Sequence, residues 1–173
     1  MDFISAARAP SLERLELRDF IADDIDFATT TASKSLKLDS FCNFMDNSSY
    51  RLIPTQTLSE LSLSGFTEAS SLQPNSIHFP LLKILKMACV QRVKGFLNAF
   101  VVPNLERFHC SPLPDDPPSV ALYGLNNKFN NVRHFYFAPA GSGALLNNSM
   151  STLQLFAWYS LVQIRLVELS ETD

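Results

Sequence analysis

The stretch Pro10-Ser-Leu-Glu-Arg-Leu-Glu-Leu-Arg-Asp-Phe20 decides how the chain is read. Leu12, Leu15, Leu17 and Phe20 fall at positions 1, 4, 6 and 9 of a unit that begins just after a proline. Positions 4 and 6 alternate with Glu16, as a half-buried strand requires. Six further segments carry the same spacing: Ser33/Leu36/Leu38/Phe41, Leu58/Leu61/Leu63/Phe66, Leu82/Leu85/Met87/Val90, Leu105/Phe108/Cys110/Leu113, Val132/Phe135/Phe137/Ala140 and Leu161/Ile164/Leu166/Leu169. Only Ser33 breaks the apolar pattern. In the last segment Leu153/Phe156/Trp158/Leu161 is a competing register. Leu161/Ile164/Leu166/Leu169 is preferred because it matches the first segment in character.

In a chain that is 46% hydrophobic, four chosen positions are all apolar about seven times by chance, so the number of matches decides nothing. Three other features do. The first positions lie 21, 25, 24, 23, 27 and 29 residues apart, in or near the period of about 20–29 that defines a leucine-rich repeat. Strict Leu-x-x-Leu-x-Leu occurs at Leu12/Leu15/Leu17 and again at Leu58/Leu61/Leu63. Proline stands two residues before position 1 at Pro10, Pro80 and Pro103, where it punctuates entry into the strand.

The implied fold is an α/β leucine-rich-repeat solenoid, a horseshoe with a parallel concave sheet of about seven short strands. Helical or irregular connectors return along the convex side. Positions 4 and 6 of successive strands stack into one continuous core that no single repeat makes alone. Phe20, Phe41 and Phe66 at position 9 replace the asparagine that many such repeats carry, so apolar packing takes over from an asparagine ladder. Val90, Val93, Phe96, Leu97 and Phe100 predict a helix over about 90–101, stopped by Pro103. Residues 144–157 read as another helix, and 112–131 as a surface loop with a short helix. Residues 22–32 and 42–56 are polar connectors.

Composition agrees with this reading. The 173 residues include 14 Phe and 25 Leu beside only 5 Gly, too little glycine for the ligand loops of a compact α/β enzyme. Balanced charge, with 14 basic and 17 acidic residues, and a pI near 5.6 exclude a disordered chain and a global nucleic-acid footprint. No apolar run reaches the roughly 18 residues of a membrane span. Met1-Asp-Phe-Ile-Ser-Ala-Ala-Arg8 has no signal-peptide h-region. Cys42, Cys89 and Cys110 have no CxxC spacing and read as small buried hydrophobes of a reducing compartment, cytoplasmic or nuclear. The whole of 1–173 reads as one repeat domain. Met1 leads into structured-looking sequence with almost no preamble, as in a piece of a longer protein. Neither Met1–Ala9 nor Ser170–Asp173 looks able to cover a solenoid end, so association is expected.

The entry Pro10-Ser-Leu-Glu-Arg-Leu-Glu-Leu17 resembles the repeats of F-box proteins. With Phe at position 9 and irregular connectors, the chain is most similar to the fungal F-box-like family over nearly its whole length. That resemblance implies the substrate-recognition arm of a cullin-type ubiquitin ligase. The Leu-Pro-x-Glu-like opening of an F-box is not found, so Skp-type adaptor binding is not carried over to these residues. A repeat scaffold outside the ubiquitin pathway is the alternative.

Positions 3 and 5 of each strand face solvent on the concave side. They are Arg14, Ser35, Glu60, Ile84, Arg107, His134 and Gln163, and Glu16, Lys37, Ser62, Lys86, His109, Tyr136 and Arg165. The last four strands collect Lys86, Arg107, His109, His134, Tyr136 and Arg165 with no acid at either position. Such a surface points to a protein partner carrying acidic or phosphorylated groups. The strand face measures roughly 29 by 13 Å, about half the 800 Å² per partner of a stable complex, so edge loops must contribute.

Chemistry is mostly excluded by pattern. His109 and His134 are diagonal neighbours without the three or four ligands of a metal site. Cys110 points inward, as packing rather than as a nucleophile. Gly141-Ser-Gly143 is neither a nucleophile elbow nor a phosphate loop. Asp115 and Asp116 lack a cleft, and Asp23, Asp24 and Asp26 are too few and too close for a calcium loop. No catalytic residue, metal or cofactor is assigned, and the chain reads as non-enzymatic.

Overall fold

The computed structural model describes residues 12–18, 32–39, 53–65, 72–90, 93–112, 126–137 and 163–166. Among the described residues nine strands and one helix run in the order β1 (Arg14–Arg18), β2 (Ser35–Asp39), β3 (Glu60–Ser64), β4 (Ile77–His78), β5 (Ile84–Val90), α1 (Val93–Ala99), β6 (Phe100–Val101), β7 (Arg107–Pro112), β8 (His134–Phe137) and β9 (Gln163–Leu166). A 3-10 turn at Asn126–Phe129 precedes β8. Seven strands form one sheet in the order β1-β2-β3-β5-β7-β8-β9, every neighbouring pair parallel. Sequence order and spatial order coincide, which is the signature of stacked, solenoid-like coils.

The register follows the repeat. Leu15, Leu36, Leu61, Leu85, Phe108, Phe135 and Ile164 lie opposite one another in turn. Leu17, Leu38, Leu63, Met87, Cys110, Phe137 and Leu166 form the second column. A slip of one residue would turn Glu16, Lys37 or Lys86 into the core, so burial fixes the pairing. The Ile164 pairing selects the preferred register of the last segment over its competitor. Along the inner columns Leu36, Leu38, Leu61, Leu63, Leu85, Phe108 and Cys110 are fully buried.

Three of the described coils are entered by one repeated device. Phe79, Val102 and Phe129 accept a hydrogen bond from the N–H three residues on, at Leu82, Leu105 and Val132. All six side chains are buried. Pro80 and Pro103 occupy the second place of these turns, where a fixed φ is favourable and no N–H is needed. The carbonyl at position 2 then accepts two N–H groups from the following coil. Glu13 takes Lys34 and Ser35, Lys34 takes Ser59 and Glu60, Ser59 takes Lys83 and Ile84, Lys83 takes Glu106 and Arg107, and Glu106 takes Arg133 and His134.

Polar side chains tie the coils at the same edge. Ser33 Oγ donates to Leu12 O at 3.1 Å and Thr57 Oγ1 to Ser33 O at 2.9 Å. Asn104 Nδ2 donates to Pro80 O at 2.7 Å and Asn131 Nδ2 to Pro103 O at 2.6 Å. The polar ladder expected to be missing at position 9 is thus present at the strand entry. Ser33, the residue that breaks the apolar pattern, is a rung of it and is fully buried. At position 9 only Val90 is among the described residues whose side chains are placed. Phe20, Phe41 and Phe66 lie outside them.

Val90 reaches the core through a bulge. Strict alternation along β5 would turn Cys89 inward, but the pairing with β7 shifts between Ala88 and Val90. Cys89 takes φ 53°, a strained value for a residue with a Cβ. The phase reverses there, exposing Cys89 and burying Val90. Cys89 therefore departs from the expected burial, whereas Cys110 follows it.

The predicted helix over 90–101 is shorter than its apolar period suggests. Val90 closes β5, the helix occupies Val93–Ala99, and Phe100–Val101 straighten into β6, which pairs in parallel with β4 in a second, two-stranded sheet. Phe100 is drawn into that strand by its place opposite Ile77 and by edge-on contact with Phe79, ring centroids 5.1 Å apart. Phe96 touches Phe100 in turn at 6.2 Å. Toward β8, Phe108 stacks on Phe129 at 5.0 Å and packs against Phe135 at 5.5 Å. The described aromatic core thus sits at position 4 and along the return path.

Lys128, in the 3-10 turn, ties three coils on that return side. Its ammonium donates to Asn75 Oδ1 at 2.8 Å and to the carbonyls of Leu97 at 3.0 Å, Asn98, and Phe100 at 2.9 Å. Leu97 and Asn98 lie in the last turn of α1, whose carbonyls have no partners within the helix. Partial burial pushes the Lys128 amine below its ordinary range. The predicted helix over 144–157 and the residues 113–125 of the predicted loop lie outside the described residues. So do residues 22–31 and 42–52 of the predicted connectors and both chain ends.

Candidate functional site: the outward face of the sheet

The outward face is a grid of two rows. Position 3 presents Arg14, Ser35, Glu60, Ile84, Arg107 and His134, and position 5 presents Glu16, Lys37, Ser62, Lys86, His109 and Tyr136. Arg14, Glu16 and Arg107 are exposed and the others half-buried. Gln163 and Arg165 continue the rows by register, opposite His134 and Tyr136. Parallel pairing without slippage puts neighbours in each row about 4.8 Å apart, and successive same-face residues of one strand about 7 Å apart.

Charge is arranged differently at the two ends. On β1 and β2, Glu16 pairs with Lys37 at 2.7 Å and with Arg18 at 2.7 Å. Lys34 pairs with Glu13 at 2.5 Å. The hydrogen bonds from Lys37 and then Arg18 hold the Glu16 carboxyl down at about 2. In the middle, Lys86 of β5 meets Glu60 of β3 at 2.7 Å, and that bond holds the Glu60 carboxyl below its usual range. Lys86 therefore stands in an ion pair across the strand boundary, which the reading of the last four strands alone did not include. Ser35 Oγ also donates to Glu60, at 3.4 Å.

Beyond Lys86 no carboxylate lies on the grid. Arg107 has no ion-pair partner among the described residues. His109 is opposite both Lys86 and Tyr136 in register, and its ring lies 5.4 Å from that of Tyr136 at an angle of 32°. Partial burial, with Lys86 and Arg107 beside it, holds the His109 imidazole below its ordinary range. Both effects favour its neutral form. His134 is opposite Arg107 and diagonal to His109. The structure thus brings Lys86, Arg107, His109, His134 and Tyr136 to one area, with Arg165 next in the row.

Among the described residues no group of three or more His, Cys, Asp or Glu side chains is placed to hold a metal ion. No described helix is long and apolar enough to cross a membrane. Glu60 is the grid residue the sequence reading left out of the site. The signal was its place in the same row as Ile84, one strand before the basic cluster. No protein-family model, characterised protein or solved structure matches the chain.

Proposed function

We propose that the chain is a non-enzymatic protein–protein interaction module of the leucine-rich-repeat horseshoe type, similar to the substrate-recognition arm of an F-box ubiquitin ligase. One observation carries the reading. The seven parallel strands keep the register of the Pro-x-Leu-x-x-Leu-x-Leu entry, and the side chains between the leucines are presented in ordered rows. A surface of that kind engages a partner through many side chains spread over successive coils, as repeat proteins do. The partner would lie on the concave face across Lys86, Arg107, His109, His134, Tyr136 and Arg165, with edge loops adding the area the strands lack.

The alternative is a leucine-rich-repeat scaffold unrelated to ubiquitin, favoured by the lack of a Leu-Pro-x-Glu-like segment in the sequence. Affinity capture with the full-length product separates the two. If that product carries an F-box, co-purification of a Skp-type adaptor and a cullin is the expected result. Recovery of neither removes the ubiquitin reading. Charge reversal at Arg107 and Arg165 together should weaken capture of the partner, and unchanged capture would remove this face from the interaction.

A further inference from the structure

We propose that two copies of the chain pair edge to edge through β1, antiparallel across a two-fold axis that passes beside Leu15. β1 ends the seven-stranded sheet and is paired with β2 alone. The bonding between coils shows which of its main-chain groups are left over. Ser35, Glu60, Ile84, Arg107 and His134, all at position 3, turn their N–H groups back to a carbonyl of the preceding coil. Arg14 holds the same position in β1, and Glu16 follows it by the two-residue alternation of a strand. Among the described residues no carbonyl of a preceding coil accepts from either. The apolar columns are uncovered at the same end. Leu12 and Leu17 are half-buried, whereas their counterparts Leu58 and Leu82, and Leu38 and Leu63, are fully buried. An open strand edge beside exposed leucine is a template for another strand.

Charge chooses the occupant and its register. In an antiparallel pair, residues whose main chain faces the partner lie opposite one another and exchange both of their bonds. With Glu16 on the axis, like charges would meet, Glu16 against Glu16 and Arg14 against Arg18. With Leu15 on the axis, Arg14 meets Glu16 of the partner subunit and Glu16 meets the partner's Arg14. A register centred on Leu17 would set Glu16 against Arg18, which already holds Glu16 within one strand. Arg14 is exposed and stands in none of the described ion pairs. A head-to-tail join of β9 to β1 would set Arg14 against Gln163, with no acid to meet it, and would leave an open edge at each end. The two-fold pair supplies Arg14 with a carboxylate and closes. It is a small interface, so it forms at micromolar concentration, and β1 stays an end strand in dilute protein. Opposed residues of a sheet share a face, so both outward grids look the same way. One strand face is about half of what a stable complex needs, and two joined along β1 supply about the whole.

The test uses the full chain, followed by sedimentation velocity from about 1 to 100 μM. A reversible monomer–dimer equilibrium is expected. Arg14→Glu sets acid against acid, and Glu16→Arg sets base against base, on both sides of the axis. Each substitution alone should therefore weaken the dimer at least about tenfold, with circular dichroism confirming that both variants fold. Mixing the two variants should restore a dimer, because every opposed pair is then Arg against Glu. That rescue separates the pairing from the bonds that Glu16→Arg loses to Lys37 and Arg18 within its own copy. Amide exchange at Arg14 and Glu16 should also slow as concentration rises through the dimer range. A chain that stays monomeric throughout, or variants that dimerise as well as the parent, overturn the proposal. Masses that grow past the dimer overturn the two-fold axis in favour of the head-to-tail join. Variants that are folded and monomeric alone, and stay so when mixed, overturn the antiparallel register.

Discussion

Lys128 shows how a single side chain serves several coils at once. An ammonium has three protons, and here they are shared among four acceptors drawn from the segment before β4, the end of α1 and β6. No hydrophobic pattern announces such a residue, because its role depends on carbonyls 28 to 53 positions away in the chain. Lys128→Met keeps the length of the stem and removes the donors. It should cost about 1–3 kcal/mol by leaving partly buried carbonyls unsatisfied, read as a shifted midpoint in urea denaturation with an unchanged slope. Glu60 was hidden for a related reason. It belongs to the third repeat, and its bond to Lys86 of the fourth becomes visible only once the two rows are laid side by side. Cys89 could not be placed by alternation, since the bulge that exposes it is a backbone event.

At the scale of the element, the strands were legible and the returns were not. Two leucines two residues apart, flanked by charge, have one way to lie in a sheet, so Leu15/Leu17, Leu36/Leu38 and Leu61/Leu63 fixed both face and register. The apolar residues from Val90 to Phe100 have more than one way to be buried. Helical spacing holds through Phe96 and Leu97, yet Phe100 gains more from pairing beside Ile77 and Phe79 than from another helical turn. At Pro80 and Pro103 the proline signal marks a four-residue entry turn whose first and last side chains are buried. That turn yields a further prediction. Asn104 and Asn131 follow their turns with a rung to the previous coil, but the equivalent place after Pro80 is Leu81, 54% exposed. Leu81→Asn should add a rung to the carbonyl of Gln56 and remove an exposed apolar side chain. The expected gain is about 0.5–1.5 kcal/mol, checked by thermal denaturation; a lowered midpoint would show that the ladder cannot extend to that coil.

At the scale of the whole molecule, each described coil is held mainly by the two beside it, so stability is a sum of neighbour terms rather than the property of one centre. Amide exchange should therefore be slowest at Leu61, Leu85 and Phe108 in β3, β5 and β7, and faster toward Leu15 in β1 and Ile164 in β9. Uniform exchange across the seven strands, measured by hydrogen–deuterium exchange, would mean that the coils open as one unit. The site was legible in part for the same reason that the fold was. Once the repeat is aligned, Arg107, His109, His134 and Tyr136 become neighbours although the chain separates them by up to 29 residues. The entry turns and doubly bonded carbonyls have a further consequence, for heredity. Between them they set the starts of β2, β3, β5, β7 and β8 independently of the distance travelled since the previous strand, and the spacing of the repeats varies from 21 to 29 residues. In-frame insertions or deletions between coils are therefore close to silent for the outward grid. A duplicated coil lengthens both rows by one residue without rewriting those already there.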